Sequence, residues 1–139
     1  MRLRVVLDTN VFISALRSRN GASYKTLSLV GTGSFQISVS VPLVLEYESA
    51  AKRMSRVIGL SYSDIDDIID FLCHVAKRQD IFYLWRPFLR DPMDDMVLEL
   101  AVASNSGFIV TYNIRDFTGI EQFEIRAINP QQFLKKIGV

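Results

Sequence analysis

The segment RVVLDTNVFISAL, residues 4–16, joins two apolar runs through Asp8, Thr9 and Asn10. The first run, with Leu3, reads LRVVL and lacks the apolar–polar alternation of a half-exposed strand, as expected of a strand buried on both faces. The second, NVFISALRS, reads as a helix. A buried strand feeding a helix is the opening of a parallel βα unit, and the rest of the chain repeats the alternation. Further strands are expected at FQISV (35–39), FIVTY (108–112) and FEIRAI (123–128), with IFYLW (81–85) as a weaker edge candidate.

Helical patterns lie between them. SYKTLSLVGTG ends in a glycine stop. Ser40 caps a helix with Pro42 in its first turn and Leu43, Tyr47, Ala50 and Met54 on one face. Ser63 is expected to cap the next, whose first turn is acidic. Asp91 and Pro92 open another, with Gly107 as its terminator, and a short helix follows Asn129–Pro130. Strands and helices in alternation predict a three-layer α/β/α sandwich with a mostly parallel central sheet, here one domain over residues 1–139. Ligand sites of such folds gather at the carboxyl ends of the strands.

Composition narrows the function. The chain carries 16 basic and 15 acidic residues, so no global field marks it as a nucleic-acid binder, although a local basic rim needs no net excess. The one cysteine, Cys73, makes neither an internal disulfide nor a zinc site and is expected to be a small buried hydrophobe in a reducing cytoplasm. No apolar run reaches membrane-spanning length and no signal peptide is apparent. The one histidine, His74, sits in an apolar helix, which excludes a histidine triad.

The acids remain. Asp8 either caps a helix, a role Asn10 fills equally well, or belongs to a site. Glu46 lies at the edge of its helix's apolar stripe, where its carboxylate points to the sheet edge or to water. RDPMDDM holds three acids within five residues, and Asp95 exceeds what a helix start requires. TYNIRDF offers Thr111, Asn113 and Asp116. The series Asp64, Asp66, Asp67 and Asp70 reads as a solvated helix face, and Lys52, Arg53 and Arg56 as the exposed flank of the helix carrying Glu46.

Asp8, Glu46, Asp95 and Asp116 fall in elements that this fold can bring to one edge. Crowded carboxylates repel and raise one another's pKa unless a cation sits among them. Oxygen-only ligands select Mg²⁺ or Mn²⁺, and such ions activate water against a phosphodiester. An aspartyl-phosphate phosphatase would place a second Asp at position 10, where Asn stands. A receiver domain would pair acids after the first strand and place a lysine after a late one, and neither is present.

VVLDTNVFISAL, the glutamate of VPLVLEYE, and RDPMDDMVLELAVASNSGFIVTYNIRDF together resemble the PIN-domain family over nearly the whole chain, with INPQQFL similar to its closing segment. Within it the chain looks most like the toxin components of bacterial toxin–antitoxin pairs. The resemblance implies a metal-dependent endoribonuclease of the cytoplasm, usually a homodimer, with RNA as substrate and an antitoxin as partner. By position, Asp8, Glu46, Asp95 and Asp116 match the family's acidic quartet, with Asp8, Asp95 and Asp116 as metal ligands. Asn10, Thr111 and Asn113 match its supporting polar residues. Met93 replaces a middle acid common in relatives, which leaves the third ligand open among Asp91, Asp94 and Asp95. Asp95 is favoured, with Asp94 orienting the attacking water. The rival expectation is a PIN-like module that binds RNA or protein without cutting.

Overall fold

The computed structural model describes residues 3–81 and 88–139. Strand β1 (Leu3–Leu7) leads into α1 (Thr9–Arg17) and α2 (Ala22–Ser28), then β2 (Phe35–Val39). Helices α3 (Val41–Arg53), α4 (Ser55–Ile58) and α5 (Tyr62–Val75) precede β3 (Lys77–Arg78). The second half holds α6 (Pro92–Ala103), β4 (Phe108–Val110), two 3₁₀ turns (Ile114–Phe117 and Ile120–Phe123), β5 (Arg126–Ile128) and α7 (Pro130–Lys136).

The sheet has the order β3-β2-β1-β4-β5, and every pairing among the described strands is parallel. The chain leaves β1 toward β2 and β3, then returns across the sheet to β4 on its other side. Right-handed crossovers in opposite directions lay helices on both faces, giving the expected three layers. They also make the carboxyl ends of β1 and β4 the topological switch point, where a cleft opens. Val5, Val6 and Leu7 are buried at the sheet's centre, as their unbroken apolar run requires.

Several expectations need correction. The strand at 108–112 is shorter, ending at Val110, and Thr111 begins the loop over the switch point. The strand at 123–128 begins only at Arg126, because Phe123 closes a 3₁₀ turn and Glu124 adopts a left-handed φ of 62°, which no strand accommodates. The edge strand is Lys77–Arg78, whose two exposed charges discourage further pairing. The candidate at 81–85 lies outside the described residues except for Ile81, which is not in a strand.

Ser61, not Ser63, caps α5: its hydroxyl accepts from the Asp64 amide while the Asp64 carboxylate accepts from the Ser61 amide. That reciprocal box satisfies two otherwise orphaned amides, which Ser63 could not do from inside the first turn. Helix α6 stops at Ser104, ahead of Gly107; the Ser104 hydroxyl donates to the Leu100 carbonyl and Asn105 takes a left-handed φ of 55°. Cys73 is half-buried against the core, and His74 is exposed.

Candidate active site at the switch point

Asp8 caps α1 directly after β1. Its Oδ1 accepts from the Thr9 amide at 2.9 Å, and its Oδ2 from the Thr111 hydroxyl at 2.8 Å and more weakly from Asn10 Nδ2 at 3.4 Å. The cap is therefore Asp8 itself, and Asn10 is free for another task. Its side chain donates to Thr111 Oγ1 and accepts from the Tyr112 amide, bridging the loops after β1 and β4. Thr111, fully buried, also accepts from the Asn113 amide at 3.0 Å. The Tyr47 hydroxyl of α3 donates to the Leu7 carbonyl beneath Asp8, and its ring stacks on Phe12 of α1. Burial, then the negative charge of Asp8, raises the Tyr47 pKa, so this hydroxyl stays protonated and keeps α3 fastened to the end of β1.

Asp94 and Asp95 occupy adjacent positions in the first turns of α6, about 100° apart around the helix. Asp95 points inward. It is buried, and its Oδ1 accepts from the Leu89 amide at 2.8 Å and the Phe88 amide at 3.3 Å. Asp94 points to the cleft. Burial, then Asp8, Asp91, Asp116 and Asp95 in that order, pushes its carboxyl up to about 7. Burial likewise raises the Asp8 pKa, hydrogen bonds from Thr111 and Thr9 pull it down, and Asp116 and Asp91 push it up again. Asp8 and Asp94 thus both feel the charges of Asp91 and Asp116 across the cleft, with Asp116 supplied by the 3₁₀ turn after β4.

Glu46 lies on α3 in the adjoining groove with Thr9 and Asn10, and its Oε1 is 3.9 Å from an Arg53 guanidinium nitrogen. Lys52 is engaged by Asp66 at 2.8 Å and Glu48 at 3.5 Å, away from the cleft. Among the described residues no three acidic side chains stand close enough to form a ready-made ion cage. The donor set nonetheless fits a hard divalent cation: oxygen-only, strained by mutual repulsion, and supported by neutral hydroxyl and amide groups.

A model of the PIN domain matches residues 4–115, most of the chain. The chain belongs to the PIN-domain family. PIN domains are generally nucleases that use divalent metal ions. Among solved structures, the PIN fold of this chain resembles a chain of VapBC2 from Rickettsia felis bound to a DNA fragment from their promoter. The TM-score is 0.63 at 16% identity, over 91% of this chain and 98% of that one. Among curated protein sequences none is significantly similar. No described helix of this PIN domain is long and apolar enough to cross a membrane.

Sequence reasoning passed over Arg90 and Arg115, which line the same cleft as Asp91, Asp94 and Asp116. A signal was available, since each directly precedes a candidate acid.

Proposed function

We propose that this PIN domain is a divalent-metal-dependent endoribonuclease, the toxin of a toxin–antitoxin pair acting in the cytoplasm, with Mg²⁺ or Mn²⁺ as its ion. The observation that carries this reading is the cleft at the switch point, where burial first, and then the charges of Asp8, Asp91 and Asp116, push Asp94 up to about 7. We assign the ligand role to Asp8, Asp94 and Asp116. Asp95, favoured by the sequence, has its carboxylate committed to the Leu89 and Phe88 amides, and becomes the residue that positions the turn before α6. Asn10 and Thr111 fix the Asp8 carboxylate, Thr111 being held in turn by the Asn113 amide, and Glu46 meets the substrate from the neighbouring groove. A cation held there would supply Lewis-acid stabilisation of a phosphodiester and lower the pKa of attacking water. The protein's part is to hold the acids at one cleft and aim them.

The purified protein should cleave RNA slowly with Mg²⁺ or Mn²⁺ and stop when a chelator is added. Cleavage that persists in chelator would overturn this reading. A second reading, a PIN module that binds without cutting, is favoured by the absence of a ready-made three-acid cage among the described residues. It predicts no cleavage at any metal concentration.

A homodimer and an antitoxin complete the proposal. Val41 and Leu45 of α3, Val57 of α4 and Tyr62 of α5 are all more than half exposed, apolar surface that a second copy would cover. Sedimentation at tens of micromolar, roughly the upper range of weak dimers, should give twice the monomer mass. A monomer there counts against it.

A further inference from the structure

Two grooves flank Asp8. The first, about 630 Å³, runs between α1 and α3 past Thr9, Asn10 and Glu46, with Arg17 and Arg53 in its walls. The second, about 500 Å³, holds Asp91, Asp94 and Asp116, with Arg90 and Arg115 beside them. Each is large enough to receive a nucleotide. Asp8 joins them: Asn10 of the first groove donates to its Oδ2, and its charge acts on Asp94 of the second.

The acids by themselves would repel an RNA backbone, so a substrate needs cationic groups on either side of them. The four arginines are placed for that. Among the described residues Arg17, Arg90 and Arg115 make no ion pair, although Arg90 and Arg115 share a groove with three carboxylates. Arg53 donates to Ser49 and stands 3.9 Å from Glu46, beyond hydrogen-bonding distance. Their guanidinium forks remain available to phosphate oxygens. Lys52, tied to Asp66 and Glu48, is not available.

The burial of Asp8 selects the form of the strand. Asp8 is only 8% exposed, so the scissile phosphate must dip into the cleft. A flexible single strand can bend that way, and a stiff A-form duplex cannot.

We propose that single-stranded RNA lies through both grooves at once, Arg17 and Arg53 holding phosphates on one side of the scissile bond and Arg90 and Arg115 on the other. This rests on the ribonuclease reading above and adds the path of the substrate.

The test uses the full chain with Asp8→Asn, which is to hold the strand without cutting it. Affinity for a labelled single-stranded RNA of about a dozen nucleotides is followed by fluorescence anisotropy against salt. Each phosphate contact on a single strand contributes about 0.7 to the slope of log affinity against log salt. Arg17→Ala with Arg53→Ala should lower the slope by about 1.4, Arg90→Ala with Arg115→Ala by about the same, and all four by about 2.8. Each pair should weaken binding about three- to tenfold at low salt. Arg126→Ala, at the opposite end of the sheet, is the control and should leave the slope unchanged. Melting temperature and its rise with Mn²⁺, measured with Asp8 restored, should be unaltered by the arginine changes. The proposal is overturned if either pair can be removed without changing the slope, if Arg126→Ala lowers it equally, or if the Asp8→Asn protein does not bind the RNA. Cleavage by the wild type with unaltered slopes would overturn this path and leave the nuclease reading standing. Altered slopes without any cleavage would do the reverse.

Discussion

Asp94→Asn is expected to cut metal-dependent RNA cleavage about a thousandfold, the loss of roughly 4 kcal/mol of transition-state stabilisation. The metal-free protein should at the same time hold its stability or gain about 0.5–1 kcal/mol. The sign follows from the charge: Asp94 is pushed up by burial and by four neighbouring carboxylates, and among the described residues its carboxylate accepts no hydrogen bond. Asparagine keeps its shape and removes the repulsion. Mn²⁺ at about 100 times its Kd stabilises a protein by about 2.7 kcal/mol, and a variant binding a hundredfold more weakly would retain about 0.4 kcal/mol. Asp8→Asn should lose activity to a similar extent, but without the stability gain. An amide at position 8 sets its NH₂ against that of Asn10 or loses the Thr111 hydroxyl bond. Melting curves with and without Mn²⁺, with Asp70→Asn as the control, decide the matter. Asp66 is unsuitable as a control because it pairs with Lys52. An equal Mn²⁺ response in all of these proteins would place the metal elsewhere.

Asp95→Ala should do the opposite. Removing a buried carboxylate that accepts from two amides leaves the buried Leu89 amide without its acceptor, and should destabilise the metal-free protein by about 3 kcal/mol. Its Mn²⁺-induced rise in melting temperature should largely remain, since Asp8, Asp94 and Asp116 are intact. Chemical denaturation and the same melting curves measure both quantities. If Asp95→Ala proved as stable as the wild type while losing its response to Mn²⁺, the ligand role would return to Asp95.

The sequence by itself determined the parts whose chemistry is local. Val5–Leu7 could only be buried on both faces, and Asp8 follows them at the strand's carboxyl end. Asp91–Pro92 and Asn129–Pro130 announced helix starts through a cap and a fixed φ, and α6 and α7 begin there. The alternation of elements implied parallel strands and hence the edge at which Asp8 lies. Tertiary structure decided what depends on neighbours distant in sequence. The two-residue strand Lys77–Arg78 exists only because β2 offers it a partner. The arginine grooves form only where α1 meets α3 and where the turn after β4 meets the start of α6. Above all, which of Asp94 and Asp95 faces the cleft was illegible. Adjacent helical residues differ by about 100° in direction, and an apolar stripe would normally say which faces inward. Helix α6 has no such stripe, being buried continuously from Asp95 to Ala101. Its rotation is therefore set by packing against β1, β2 and β4, and that packing turns Asp95 under the preceding turn and Asp94 toward Asp8.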